Sequence, residues 1–224
     1  VYDIDIVGDS NIVVVGASGQ TSGIGTSSTH QRYKNTTGVD AFVALFDTNG
    51  VRKWGSYFGG NNFDRANGVA VDIAGNIYIA GSTYATDTIA TVGAHKFSQP
   101  DSSDAFIAKF NLKGQRIWAT LYGGTNVETG RDIAIDNNQN LYLVGKTNSK
   151  TGISSSGSYQ STLLSNNTFD AYLAKFDSSG TFVWGTYYGG TDEDAAESVA
   201  IGGNSEIIFG GETVSSSGIA TTGA

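Results

Sequence analysis

The sequence predicts an all-β protein, and three features carry this prediction. Hydrophobic residues make up 39% of the 224-residue chain and charged residues only 15%, so the polar balance falls to Gly, Ser, Thr and Asn. The 31 Gly, 11 Tyr and 11 Phe are typical of many short strands joined by turns. Apolar residues also alternate with period two over segments such as 41–47 and 52–58, which favours strands over helices.

Composition also excludes several classes of function. The chain has no cysteine, which rules out disulfides, thiol catalysis and cysteine-based zinc sites. Its net charge of −8 argues against a nucleic-acid partner, because phosphates attract a basic surface. No segment reaches the roughly 18 apolar residues of a membrane span, and no cationic amphipathic segment favours an anionic membrane. We therefore expect neither nucleic-acid binding nor membrane insertion.

One unit recurs three times along the chain. A motif that begins Asp-Ala-Phe or Asp-Ala-Tyr starts at Asp40, Asp104 and Asp170, which lie 64 and 66 residues apart. Each copy continues with a tryptophan and then a Gly-Gly pair at fixed spacing: Trp54, Trp118 and Trp184, followed by Gly59-Gly60, Gly123-Gly124 and Gly189-Gly190. Repeats of this length indicate a modular fold.

Each unit contains four predicted strands, which in the first copies cover 68–72, 77–82, 41–47 and 52–58. Segments 47–50 and 177–180 have the form of a type I turn followed by a left-handed glycine. Four antiparallel strands per repeat make one blade of a β-propeller. We predict a β-propeller of four-stranded antiparallel blades.

The repeat boundaries give about three and a half blades. The predicted blades cover 1–58, 66–122 and 131–188, and a half-blade covers 196–224. This is a partial ring or a piece of a larger propeller. Open sheet edges at its ends would favour pairing with another chain.

Long polar segments lie between the second and third strands of each unit. Segments 82–103 and 146–169 contain 22 and 24 residues, and loops of this length are usually functional or disordered. An isoleucine recurs within them, at Ile24, Ile89, Ile153 and Ile219. We therefore expect ordered loops that are pinned by a buried isoleucine and lie on one face of the propeller.

The repeat resembles a known family. The pattern D-A-[FY]-[VIL]-A-[KL]-F, then Gly, Trp and Gly-Gly, then [VI]-A-[VI], is similar to the SBBP (seven-bladed β-propeller) repeat. Gly202 and Leu45 depart from the other copies as ordinary drift. The resemblance implies a propeller in a large exported or surface-exposed bacterial protein, and therefore an extracellular setting. It implies no enzyme class and provides no catalytic residues to transfer.

Carboxylates are the candidates for a binding site. Asp64, Glu128 and Asp194 follow the three Gly-Gly pairs, and Asp192, Glu193 and Glu197 add charge in the last copy. We predict an arc of acids on the loop face, with Asp64, Glu128, Asp192 and Asp194 as possible ligands of a cation such as Ca²⁺ or of a polar molecule. The pattern favours a second interpretation over this one, in which each acid caps its own turn or pairs with Arg65 or Arg131. No other cofactor is expected.

The remaining recurring residues favour structural roles. Asp40, Asp104 and Asp170 precede a strand and are expected to accept backbone N–H bonds. Trp54, Trp118 and Trp184 are expected to pack blade against blade. His30 and His95 recur at matching places in successive loops, with Tyr159 near that place in the third. A repeated and replaceable histidine is more typical of a loop anchor than of catalysis.

These observations favour a non-catalytic extracellular module, a scaffold or adhesion domain whose long loops bind a protein or glycan at a cell surface. Two alternatives remain: an enzyme that acts on polysaccharide through the acidic arc, and an assembly module that joins copies through open blade edges.

Overall fold

A computed structural model describes residues 1–34, 38–86, 89–98, 102–165 and 168–220. Those residues form strands and turns and no helix, so the described ranges hold no helix that could cross a membrane. The strands, in chain order, are β1 Asp3–Val7, β2 Asn11–Ser18, β3 Asp40–Asp47, β4 Arg52–Phe58, β5 Asp64–Val71, β6 Ile77–Thr83, β7 Asp104–Phe110, β8 Arg116–Tyr122, β9 Glu128–Ile135, β10 Leu141–Thr147, β11 Asp170–Phe176, β12 Phe182–Tyr188, β13 Asp194–Ile201 and β14 Ile207–Thr213.

The strands form three four-stranded sheets and one two-stranded sheet. Their order is β1-β2-β3-β4, β5-β6-β7-β8 and β9-β10-β11-β12, followed by the pair β13-β14, and all of the paired strands are antiparallel. The first strands of successive sheets, β1, β5, β9 and β13, lie next to one another. The chain is thus a partial β-propeller of three blades and a half-blade.

The first strand of each later blade begins two or three residues before the predicted boundary, at Asp64, Glu128 and Asp194 rather than at 66, 131 and 196. A register shift at Asn67, Arg131 and Glu197 explains the difference. A β-bulge inserts one unpaired residue into a strand, so the regular alternation breaks there although the ladder continues.

The hydrophobic core lies between blades. One cluster joins Val15 and Val43 of the first blade to Ile79 and Phe106 of the second. Equivalent clusters join the second blade to the third and the third to the half-blade. The second sheet has a neighbour on each side and buries both faces, which explains why β6 and β7 are buried almost throughout.

The tryptophans lie at these blade contacts. Trp54 Nε1 donates to the carbonyl oxygen of Leu112 in the next blade at 2.8 Å, and Trp118 Nε1 donates to Ser178 at 3.3 Å. The indole of Trp54 also packs on Gly114, whose φ of 74° lies in the left-handed region, and an added Cβ there would lie 2.8 Å from the ring. A glycine is needed at this turn both for its backbone angle and for the close approach.

The long loops cover the outer edge of each blade. In the first blade, Thr26 N donates to Gly55 O at 2.8 Å and Tyr57 N donates to Gln31 O at 2.9 Å. The second and third loops make the same two contacts with β8 and β12. The loops begin and end on one face, but their middle runs along the outer strand, so the backbone groups of that edge are paired.

The predicted buried isoleucine is confirmed in the second and third loops. Ile89 and Ile153 are buried, whereas Ile24 and Ile219 are half-buried. The carbonyl of Ile153 also accepts a hydrogen bond of 2.7 Å from Tyr122 Oη of the preceding blade. The loop therefore ties neighbouring blades together.

Candidate functional site

A pair of buried carboxylates lies beside the Gly-Gly turn that follows each four-stranded blade. After the first blade these are Asp40, at the start of β3, and Asp64, at the start of β5 of the next blade. A Cβ added to Gly59 would lie 2.5 Å from Asp64 Oδ2 and 2.9 Å from Asp40 Cγ, so this glycine sits between the two acids. Asp104 with Glu128 and Asp170 with Asp194 repeat the arrangement around Gly123 and Gly189.

The second acid of each pair caps its own turn. Gly60 N donates to Asp64 Oδ2 at 2.9 Å, and the same bond is 2.8 Å to Glu128 and 2.7 Å to Asp194. The backbone of each acid also donates to the residue before the Asp-Ala motif, as Asp64 N does to Val39 O. Buried as they are, these three acids tie the connection between blades to the long loop.

The first acid of each pair is held by a residue of the loop that sequence reasoning missed. Gln31 Nε2 donates to Asp40 at 3.1 Å, Gln160 Nε2 to Asp170 at 2.9 Å, and Lys96 Nζ lies 2.7 Å from Asp104. The sequence did contain a signal for these residues, because each directly follows one of the recurring loop residues His30, His95 and Tyr159. We call Gln31, Lys96 and Gln160 the latch residues.

Burial dominates the electrostatics of the pair in the second blade. Desolvation raises the pKa of Asp104, although Lys96 partly offsets this. The pKa of Glu128 is also raised by burial, against hydrogen bonds from Ser149, Thr147 and Gly124. A buried carboxylate loses hydration that its partners only partly replace.

The outer acids of the last copy have different surroundings. Asp192 is exposed, whereas Glu193 Oε1 lies 2.7 Å from Lys146 Nζ and Glu197 Oε1 lies 3.5 Å from Arg131 Nε. The structure therefore separates Asp192 from the buried Asp194. Within the described ranges, no group of three or more His, Asp or Glu side chains is placed to hold a metal ion.

The histidines lie among aromatic rings between blades. The His30 ring is 5.9 Å from Phe58 and 6.0 Å from Phe110 of the next blade, and His95 stacks on Phe182 at 4.7 Å. Burial, with a smaller contribution from Arg116, lowers the pKa of His30 to about 4. The geometry is that of a neutral anchor that packs loop against blade.

The repeat was compared with known families and proteins. A family model described as the SBBP beta-propeller repeat matches residues 53–87 and 117–151. Two segments of the chain, one repeat apart, thus match this β-propeller repeat. It is also 23% identical over 180 residues to an uncharacterized WD repeat-containing protein of Acanthamoeba polyphaga mimivirus, an alignment that covers 75% of this chain and 13% of that protein.

The long loops carry large exposed side chains. Tyr33 is 56% exposed, Phe97 62% and Tyr159 76%. Each lies within two residues of a latch residue, and the carbonyl oxygen of each latch residue accepts a hydrogen bond from the outer strand of its blade. The loops thus combine ordered backbone with apolar side chains that face solvent.

Proposed function

We propose that this chain is a non-catalytic, extracellular β-propeller module of an exported bacterial protein, which serves as a scaffold or adhesion domain. Its long loops bind a protein or a glycan at a cell surface. The extracellular setting is supported by the resemblance of the repeat, and the binding role is supported by the long loops.

One observation carries the proposal: Tyr33, Phe97 and Tyr159 are exposed on loops whose backbone is hydrogen-bonded to a blade. Each of three equivalent loops thus presents an exposed aromatic side chain, and aromatic side chains are enriched at protein interaction surfaces. A preordered loop also loses little conformational entropy when it binds. Aromatic side chains on rigid loops are therefore suited to recognition.

The non-catalytic part of the proposal is supported by the acids. Asp64, Glu128 and Asp194 are buried, and each accepts a backbone hydrogen bond of its own turn. A polysaccharide-acting enzyme needs two carboxylates that reach the scissile bond. The three recurring acids are instead enclosed in the turns between blades, which favours binding over hydrolysis.

A double variant tests the proposal. Tyr33→Ser with Phe97→Ser should abolish binding to intact bacterial cells or to a glycan array, while circular dichroism and the melting temperature stay unchanged. Ile73→Ser is the matched control, because Ile73 is 93% exposed in a turn on the opposite face. Equal binding by the double variant and by the control would refute the role of the loops.

A specific observation favours assembly as a second candidate. A pocket of about 600 Å³ lies beside Trp184, Tyr159 and Phe209, at the place where the corresponding Trp54 receives the turn of the next blade through Leu112 and Gly114. Among the described strands, β14 pairs with β13 alone. The occupant that fits is a β-hairpin equivalent to β7–β8, from a further repeat of the same kind.

An extended chain tests this candidate. A copy of residues 95–124 added after Ala224 should complete the half-blade, raise the melting temperature by several degrees for each kcal/mol gained, and bury Trp184. The same extension with its residues scrambled is the control. No effect of the extension would contradict the hairpin as occupant, whereas a dimer of the unextended chain that the extension converts to a monomer would show that the same edge joins copies.

A further inference from the structure

A groove on the loop face, between the second and third blades, differs from the other repeat positions. It forms a pocket of about 410 Å³, a size typical of small-molecule sites. Its lining includes Arg65, Arg131, Phe63, Tyr84, Ser82 and Thr129. These residues come from the strands and the short connections, so the groove is built on the rigid part of the blades.

The groove is basic in a protein whose net charge is −8. Arg65 is exposed and has no ion pair with a described residue, and no described Asp or Glu lines the pocket. The shortest distance between Arg131 and Glu197 is 3.5 Å, from Nε to Oε1. Two guanidinium groups therefore line one pocket that supplies no carboxylate for them.

The equivalent groove between the third blade and the half-blade is neutralised from within the chain. There Lys146 corresponds to Ser82, and its Nζ lies 2.7 Å from Glu193 and 4.5 Å from the ring of Phe169. The bulge residue Glu197 corresponds to Arg131. The fold thus accommodates an internal carboxylate at this position, and the groove with Arg65 and Arg131 lacks one.

The groove also contains a buried hydroxyl group without a hydrogen bond within the described ranges and two exposed aromatic rings. Thr129 Oγ1 is buried and has no hydrogen bond to a described residue, and a buried hydroxyl without a partner is costly. Phe63 and Tyr84 are each about half exposed at its rim. Aromatic faces beside hydroxyl and guanidinium groups match a ring that is apolar on one face and polar at its edge.

We propose that this groove binds a carboxylate-bearing sugar unit, a hexuronate of an acidic glycan. Arg65 and Arg131 hold the carboxylate, since guanidinium forks pair with carboxylates in bidentate geometry. Phe63 and Tyr84 pack on the sugar ring, and Thr129 Oγ1 bonds a ring hydroxyl. This assignment rests on the proposed binding function and names its ligand class, but it needs no residue from the middle of the long loops.

Calorimetric titration with trigalacturonate tests the assignment. The whole chain should bind trigalacturonate and not neutral maltotriose, with an affinity that falls as salt rises. Arg65→Gln should weaken binding about tenfold or more, the usual effect of removing one charge-assisted hydrogen bond. Thr129→Val, which keeps the side-chain shape, should weaken binding by a smaller factor.

Lys113→Gln is the matched control, because it removes one positive charge from an exposed turn on the opposite face. Unchanged affinity in Lys113→Gln supports the groove, whereas an equal loss in both charge variants would show unspecific attraction and overturn it. No binding of trigalacturonate by the folded chain would overturn it as well. Loss of cell binding in Tyr33→Ser with Phe97→Ser, with trigalacturonate binding intact, separates the loop surface from this groove.

Discussion

The second blade and its two neighbours hold the same buried carboxylate in different ways. In the first and third blades the latch residue is a glutamine, which donates to the aspartate and accepts a hydrogen bond from the Gly-Gly turn, at 3.2 Å from Gly59 and 3.1 Å from Gly189. In the second blade Lys96 donates to Asp104 and to the carbonyl oxygens of Gly123 and Gly124.

The difference shows that the same loop and turn backbone can hold the buried aspartate with either a neutral amide or a charged ammonium group. A glutamine satisfies the pair by neutral hydrogen bonds, each with a modest net contribution to stability. A lysine adds a positive charge whose own side chain is 18% exposed, while the aspartate is fully buried. Such a pair contributes little over an apolar replacement, but it becomes costly when one partner is removed.

Removing the ammonium group from the second blade should have the largest effect. Lys96→Met leaves Asp104 and Glu128 buried without a cation, and should lower the free energy of unfolding by about 3 kcal/mol at pH 7. Urea denaturation measures the change. Adding Asp104→Asn should recover most of the loss, because the uncompensated charge disappears. A double variant as unstable as Lys96→Met would contradict the electrostatic explanation.

The same variant has a pH signature. The pKa of Asp104 is raised above its usual value, so its contribution to stability is present at acid pH and is lost as pH rises through the folded-state pKa. The defect of Lys96→Met should therefore shrink from pH 7 to about pH 4. A defect that stays constant over this range would indicate lost packing instead.

Much of the fold, and part of the site, could be predicted from the sequence. The fixed spacing of Asp40, Trp54 and Gly59 located blades and turns, because residues in regular strands keep their offsets from copy to copy. The latch residues were not predicted, because they precede their aspartates by 9, 8 and 10 residues rather than by a fixed number. The loop differs in length between copies, so the contact between latch residue and aspartate recurs although the number of residues between them changes.

The grooves between blades were also beyond sequence reasoning. Arg65 and Arg131 lie one repeat apart, and their meeting depends on the angle between blades and on the bulge at Arg131. The buried placement of Asp64, Glu128 and Asp194 was also missed, because it depends on how each Gly-Gly turn folds back onto the acid. Three-dimensional neighbours that lie a full repeat apart leave no local pattern.

The residue before the latch should give the next largest effect. His30 is neutral in the folded state because its pKa is lowered to about 4, so stability is complete above the unfolded pKa and falls as pH drops from about 6.5 to 4, by at most about 3 kcal/mol. His30→Phe should flatten this part of the stability profile. His95→Phe should flatten it less, and an unchanged slope in His30→Phe would show that another group titrates.

Exchanging the two latch chemistries should give the smallest effect. Gln31→Lys brings a positive charge to Asp40 but removes the acceptor that Gln31 Oε1 provides for Gly59 N–H. Because a gained ion pair and a lost hydrogen bond have similar size, the free energy of unfolding at pH 7 should change by less than about 1 kcal/mol. Lys96→Gln, the reverse exchange, should cost less than Lys96→Met, since an amide still reaches Asp104. A large loss from either exchange would mean that each loop backbone is shaped around its own latch residue.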